Sequence, residues 1–221
     1  MYKWLKLLVG ISEKEEPLKR LSLIVGHSSK SRGANNYLGE SEYKFNARIG
    51  ARVVEICNKQ YQSLLEVKLF KRFGGPYRDL CPDIRLYKPN ATLELHFNAA
   101  SVRAYGVEML VYKDGPRPYE NAMIGDIFTD LFAQEYGVKE RHTRRLDRNS
   151  VSMIDGVKFM TEGRGVYNLK TMHDDCNVPF VLLFEPVFGN FETAESKAFF
   201  EDEDRYVAFL VKAIGEIREF I

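Results

Sequence analysis

The chain has 221 residues and a formal net charge of +1, with 45% hydrophobic and 29% charged residues. This length suits one substantial domain with a buried core and leaves little room for a second of ordinary size. The near-neutral charge argues against nucleic acid or an anionic membrane as a partner, and nothing approaches the ~20 apolar residues of a membrane span.

Residues 1–20 combine lysines with a short apolar run and predict a short N-terminal arm or helix before a domain at 21–221. The segment lacks the longer apolar region and small-residue cleavage site of a secretory signal. We therefore expect synthesis in the cytoplasm and no stable membrane insertion. The oligomeric state is left open, with a monomer as the expectation.

The first half of the chain begins with an apolar strand and a polar loop. Apolar residues then recur at three- and four-residue steps from Ser41, a plausible N-cap, which indicates a helix to about Gln60. The other predicted elements here are strands at Leu21–His27 and Leu64–Phe70 and an irregular stretch with one short helix at Phe73–Asn90.

The second half continues the alternation of strands and helices. The predicted strands are Thr92–Asn98, Tyr105–Tyr112 and the strongly apolar Val178–Val187. The predicted helices are Pro118–Tyr136, with Met123, Ile127, Leu131 and Phe132 on one face, Val166–His173, and a long helix from Thr193 to Ile221. Arg141–Arg164 shows no clear pattern. This alternation predicts an α/β fold, a single domain whose mostly parallel central sheet is flanked by helices on both faces.

The three cysteines, Cys57, Cys81 and Cys176, have no CxxC spacing. They predict neither a disulfide framework nor a thiolate zinc site. Cys57 follows an apolar helix face and is expected in the core. This cysteine usage is typical of a protein that folds in a reducing compartment.

Three ionisable residues lie at predicted strand ends. His27 ends the first strand, His96 lies near the end of TLELHFN, and Glu185 ends the apolar run VPFVLLF. Ligands of open α/β sheets bind beyond the carboxyl ends of the strands. These residues are therefore candidates for one site, although they are far apart in the sequence.

Glu42 adds a fourth candidate because it shares a helix face with apolar residues and should point toward the sheet. A buried carboxylate is costly unless it is paired or metal-bound, and Asn46, one turn on, is placed to support it. Two histidines and one glutamate form a known catalytic zinc set. A carboxylate such as Glu185, with its pKa raised by burial, suits proton transfer beside that metal.

Local motifs resemble those of the zinc-dependent N-acetylmuramoyl-L-alanine amidases, in that family's order over roughly residues 20–220. The matching segments are GHSSKSRGA at 26–34, ESEYKFN at 40–46, ELHFNAA at 94–100, YGVEMLVY, and VPFVLLFEPVFGNFETAES. The resemblance implies one zinc ion per chain held by His27, Glu42 and His96, with Glu185 as general base and acid. The implied substrate is peptidoglycan, cut between muramic acid and L-alanine by a zinc amidase catalytic domain at 21–221.

The resemblance also has departures. Ser28 and Ser29 replace two family glycines, and Pro186-Val187 follows the catalytic glutamate, so the substrate side of the site should differ. The segment 139–161 matches the family poorly and is expected to shape substrate preference. Asn98 and Arg164 are candidate substrate-binding residues, with a surface salt bridge as the alternative for Arg164.

Other functions stay open at this point. With no secretory signal predicted, the expectation is a phage or prophage endolysin released to the wall by a partner pore, and a wall-recycling enzyme is the alternative. A zinc carboxypeptidase or small-peptide amidohydrolase is disfavoured because those families generally carry an H-x-x-E ligand pair, whereas here Glu42 is far from His27. A metal-free wall-binding module of the same fold is a third alternative. The cluster His173–Cys176 is expected to be a solvated loop and not a second metal site.

Overall fold

The computed structural model describes residues 17–141, 150–154 and 156–221. The predicted arm therefore falls mainly outside the described residues, which begin at Pro17. The strands are β1 (Lys19–Ser28), β2 (Leu65–Arg72), β3 (Ala91–Leu95), β4 (Glu108–Tyr112), β5 (Ser150–Ile154), β6 (Val157–Met160) and β7 (Phe180–Glu185).

Six α-helices are described. They are α1 (Glu42–Tyr61), α2 (Cys81–Tyr87), α3 (Pro118–Tyr136), α4 (Arg164–Lys170), α5 (Ala194–Phe200) and α6 (Glu203–Ile217). A 3₁₀ turn at Tyr77–Leu80 leads into α2, and a π-helical turn at Thr171–Asp175 follows α4. None of these described helices has both the length and the apolar character that crossing a bilayer requires.

The described strands form one seven-stranded sheet in the order β2-β1-β3-β7-β4-β6-β5. β2, β1, β3 and β7 run parallel to one another, and β4 pairs with β6 in parallel. The β4–β7 and β5–β6 pairs are antiparallel. The expected mostly parallel α/β sheet is therefore confirmed, with an added mixed edge at β4, β6 and β5.

Helices cover both faces of the sheet, as predicted. One face packs against α1, α3, α5 and α6 through a large aromatic core that includes Phe45, Phe128, Phe184 and Tyr206. The other face carries a smaller core contributed by the 3₁₀ turn, α2 and α4. Alternate residues of each strand thus enter different cores, which explains the unbroken apolar run of β7.

The predicted C-terminal helix is wrong in one respect, because it is two helices. Thr193 forms a capping box with Ser196 at the start of α5. Asp202 then accepts a hydrogen bond from Arg205 N at 3.0 Å and begins α6. The second N-cap in the middle of the amphipathic pattern ends one helix and starts another.

The buried face of α3 also differs from the prediction. Met123 is 60% exposed, while Ile124, Phe128 and Phe132 are buried. Ile127 and Leu131 only flank the core. Both sets follow a helical period, so the pattern alone did not select the face.

Cys81 and Cys176 form a disulfide, which corrects the expectation that the cysteines are unpaired. The bond joins the start of α2 to the segment before β7, across 95 residues of sequence. Cys57 is buried in the core and free, as expected. A structural disulfide is typical of an oxidising compartment, so the cysteines no longer support the inference of a reducing one.

The region without a clear pattern contains two strands. β5 and β6 pair with each other and close the sheet beyond β4. Residues 142–149, inside the segment 139–161 that was expected to shape substrate preference, lie outside the described residues.

Candidate metal centre and catalytic cleft

Three neighbouring parallel strands bring the predicted strand-end residues together. The register aligns Val25 of β1 with Leu95 of β3, and Leu95 with Phe184 of β7. His96 and Glu185 come directly after these aligned residues and His27 comes two residues after Val25, so all three reach the same edge of the sheet. The His27 and His96 rings lie 5.1 Å apart between centroids, in an edge-to-face arrangement.

Glu42 lies between the two histidines. It is the first residue of α1 and is 3% exposed. Its Oε2 lies 3.1 Å from His27 Nε2, and its Oε1 lies 2.8 Å from His96 Nδ1. Backbone N–H groups of Ala34 and Phe97 also donate to this carboxylate, at 3.3 and 3.1 Å. The structure thus places Glu42, and not the neighbouring Glu40, among the histidines.

Two glycines make this close approach possible. A Cβ on Gly26 would overlap the imidazole of His96, and one on Gly33 would collide with Glu42 and His27. Gly33 also has a φ of +76°, a conformation that glycine adopts without the steric cost of a side chain. These two glycines, one near the end of β1 and one in the polar loop after it, therefore leave the space that the His96, Glu42 and His27 side chains occupy.

The histidines control the ionisation of Glu42. Burial raises the pKa of its carboxyl group, but hydrogen bonds and positive charge from His27 and His96 lower it more, to about 2. Conversely, burial lowers the pKa of His96, while the nearby Glu94 and Glu42 carboxylates raise it well above its ordinary value. The cluster thus favours an ionised carboxylate held between two imidazoles.

Glu185 has a contrasting environment. Its Oε2 is shielded from solvent and has no hydrogen-bond partner. Burial, with repulsion from Glu42, Glu108 and Glu94, raises the pKa of Glu185 to about 8, although His96 acts in the opposite direction. A carboxyl group with its pKa near neutrality can both accept and release a proton.

All four residues face one open cleft of about 680 Å³. Its other polar lining residues are Ser31, Arg32, Arg72, Asn98 and Asn168. Asn98, a candidate for substrate binding, donates through Nδ2 to Glu108 Oε1 at 2.6 Å, and Glu108 also accepts from Arg141 at 2.6 Å. The side chain of Arg164, the other candidate, lies outside the described part of the chain.

Asn46 is fully buried but does not contact Glu42 as expected. Its Nδ2 donates to the carbonyl of Leu95 at 3.3 Å, and its Oδ1 has no partner. Glu42 is already bonded to two imidazoles and two backbone N–H groups, so its oxygens are occupied. Asn46 instead supports the end of β3, the residue before His96.

The sequence patterns did not identify Glu94 and Glu108 as site residues. Glu94 is two residues before His96 in the alternating strand TLELHFN, so both side chains lie on one face of the sheet. Its burial, 1% exposed, was readable from that alternation. Glu108 lies opposite Glu185 in the β4–β7 register, a pairing that requires the sheet order. His173, in the expected solvated loop, is instead buried and bonded to the Val178 carbonyl at 2.9 Å.

The donor set fits a divalent metal. One ligand atom from each of His27, Glu42 and His96 lies within 4.8 Å of the others. Among the described residues, these three side chains are the group that is close enough together to hold a metal ion. Two imidazoles and a carboxylate suit zinc, as well as other divalent ions. The chelating group can therefore assemble without rearrangement of the strands.

Comparison with solved structures identifies the fold. The chain matches the catalytic domain of CwlV, an N-acetylmuramoyl-L-alanine amidase from Bacillus (Paenibacillus) polymyxa, with a TM-score of 0.66 and 19% identity, over 92% of this chain and 99% of that one. It matches an N-acetylmuramoyl-L-alanine amidase of Clostridium difficile 630 with a TM-score of 0.69 and 14% identity, over 92% and 98%.

A third match is the catalytic domain of an endolysin. The catalytic domain of the CD27L endolysin, which targets Clostridia difficile, superposes with a TM-score of 0.63 and 14% identity, over 90% of this chain and 97% of that one. No protein-family model and no curated protein sequence matches the chain. The chain thus has the fold of the N-acetylmuramoyl-L-alanine amidases along nearly its whole described length.

Proposed function

We propose that this chain is a zinc-dependent N-acetylmuramoyl-L-alanine amidase, which hydrolyses the amide bond between N-acetylmuramic acid and L-alanine in peptidoglycan. The observation that carries the proposal is the convergence of His27, Glu42 and His96 beside the partly buried Glu185 in one cleft. The amidase fold and the order of the local motifs support the same activity.

His27, Glu42 and His96 would hold the metal through imidazole nitrogens and a carboxylate oxygen. Zinc held there would supply a Lewis acid that polarises the amide carbonyl and would lower the pKa of water toward ~7. The ligands come from β1, α1 and the end of β3. Because helices and strands hold side chains precisely, the ligands would need little rearrangement when the substrate binds.

Glu185 would move the protons. It accepts a proton from the attacking water as the new carbon–oxygen bond forms, and donates it to the departing nitrogen as the amide bond breaks. The products are a carboxylate on the muramic lactyl group and a free amino terminus on L-alanine. Its pKa of about 8 before metal binding reflects a desolvated position, and a cation nearby would lower it toward the working pH.

The cleft and the disulfide bear on substrate and location. A volume of about 680 Å³, open to solvent, can admit a peptide branch of a polymer. The Cys81–Cys176 disulfide favours an oxidising environment, which agrees with action on the cell wall.

Digestion of intact peptidoglycan tests the proposal. The zinc-loaded protein should release stem peptides whose L-alanine amino termini are free, with no increase in sugar reducing ends, and the Glu185→Gln variant should release almost none. New reducing ends would indicate a glycosidase. Trimming of free peptides alone would favour the carboxypeptidase alternative, and wall binding without product would favour a binding module.

A further inference from the structure

Glu94 is a buried carboxylate that the mechanism above does not use. It lies in the middle of the sheet on β3, with 1% of its surface exposed. Since Glu94 and His96 are two residues apart on this strand, their side chains share one face of the sheet. A carboxylate in such a position is costly to bury unless several donors satisfy it.

Three side chains donate to Glu94. Its Oε1 lies 2.8 Å from His96 Nε2 and accepts from Asn168 Nδ2 at 2.7 Å. Its Oε2 accepts from the hydroxyl group of Tyr77 at 2.8 Å. Tyr77 comes from the 3₁₀ turn and Asn168 from α4, so elements on one side of the sheet hold this carboxylate in place.

The contact with Glu94 bears on where the proton of His96 lies. Both ring nitrogens face a carboxylate, but a metal ion on the side of His27 and Glu42 would occupy Nδ1, so the imidazole proton would lie on Nε2 and be donated to Glu94. The lone pair is then on Nδ1, which faces Glu42, 2.8 Å away. That is the nitrogen on the side of the proposed metal ligands His27 and Glu42.

We propose that Glu94 is a positioning residue, which fixes His96 in the Nε2–H tautomer and aims Nδ1 at the metal. The inference rests on the proposed function and extends it to the support of one ligand. Carboxylates that hydrogen-bond a metal-binding imidazole raise its basicity and restrict its ring, and their loss costs about 10–100-fold in metal affinity. Tyr77 and Asn168 in turn keep Glu94 from turning away.

Substitution of Glu94 by Gln tests this role, because it keeps the shape but presents an amide to donors. Zinc affinity is measured by competition with a chromophoric chelator, and the His96 tautomer by long-range ¹H–¹⁵N NMR of the zinc-loaded protein. We expect zinc binding to weaken about 10–100-fold in Glu94→Gln. The His96 signals should show a proton on Nε2 in both zinc-loaded proteins; that proton should resonate far downfield in the wild type, where a carboxylate accepts it, and move upfield in the variant.

A tyrosine pair supplies a matched control. Tyr77→Phe removes one donor to Glu94 and should weaken zinc binding several-fold. Tyr87→Phe removes a hydroxyl group that instead donates to the carbonyl of Glu66 at 2.9 Å, and should leave zinc binding unchanged. If Glu94→Gln does not fold, this pair decides, and equal zinc affinity in the two variants overturns the inference.

The outcomes separate the two proposals. A wild-type protein that binds no zinc and leaves peptidoglycan intact contradicts the proposed function. A wild type that binds zinc and cleaves peptidoglycan, together with a Glu94→Gln variant of equal zinc affinity and unchanged His96 Nε2–H resonance, contradicts only the role of Glu94.

Discussion

Glu42 and Glu185 face the same cleft from two sides with different partners. On one side, Glu42 is within hydrogen-bond distance of His27 and His96, and the pKa of its carboxyl group is lowered to about 2. On the other side, Glu185 Oε2 has no partner, and burial raises its pKa to about 8. Two glutamates therefore have different roles: Glu42 stays ionised and Glu185 can carry a proton, because different donors surround them.

The sharpest way to test this division is to neutralise Glu185. In Glu185→Gln, we expect about 10²–10⁴-fold slower release of L-alanine amino termini, because proton transfer is then uncatalysed. Bound zinc, measured by atomic absorption, should remain at the wild-type level. Near-normal turnover in this variant would show that Glu185 is not the general base.

The matching change on the other side is Glu42→Gln, which removes the charged ligand. We expect zinc affinity to fall by more than about 100-fold, because losing a ligand should cost more than losing a residue that only supports one. Activity should then be lost when zinc is limiting. Glu40→Gln is the control, because Glu40 lies two residues away and binds Arg48 at 2.5 and 2.9 Å instead of the cluster. The assignment fails if the two variants bind zinc equally well.

The two sides are also anchored differently. Phe45 holds the helix of Glu42 through aromatic contacts, whereas a disulfide ties the segment before β7, the strand of Glu185, to α2. Removing the disulfide in a Cys81→Ser/Cys176→Ser variant should lower the free energy of unfolding by about 2–4 kcal/mol, measured by denaturant titration. Added reductant should destabilise the wild type but not this variant, and equal stability of the two proteins would contradict the bond.

The last test concerns the pH dependence of stability in metal-free protein. The pKa of Glu185 is about 8 in the folded protein, against an ordinary value of 4.5. Between those values the folded state holds a proton that the unfolded chain has lost. The free energy of unfolding should therefore fall as pH rises, by at most about 1.4 kcal/mol per pH unit from this group.

Denaturant titrations at pH 5–8 with a chelator present would measure that decline, and Glu185→Gln should reduce it. Glu42 cannot be the source of this decline. Its pKa is lowered from 4.5 to about 2, so its contribution to the free energy of unfolding rises with pH between those two values and is constant at pH 5–8. A decline of the same slope in Glu185→Gln would mean that another group titrates.

Much of the fold and site was predictable from local patterns. Alternation in TLELHFN and the apolar run before Glu185 indicated strands whose carboxyl ends meet. The sequence pattern therefore predicted that His27, His96 and Glu185 lie close together. Helix facing selected Glu42 over Glu40. Both inferences depend on short-range periodicity, which the sequence displays directly.

The missed features depend on contacts between distant segments. The Cys81–Cys176 bond and the donation from Tyr77 to Glu94 join residues 95 and 17 positions apart. Glu108 becomes a neighbour of Glu185 only because β4 inserts next to β7 in antiparallel orientation. No local pattern encodes such strand order.

The most direct measurement of the central claim is anomalous diffraction at the zinc edge from crystals of the Glu185→Gln variant soaked in zinc. We predict one strong anomalous peak within about 2.0–2.2 Å of His27 Nε2, a Glu42 carboxylate oxygen and His96 Nδ1, with His96 Nε2 still bonded to Glu94. A site without such a peak, or a zinc ion bound through other residues, would contradict the account.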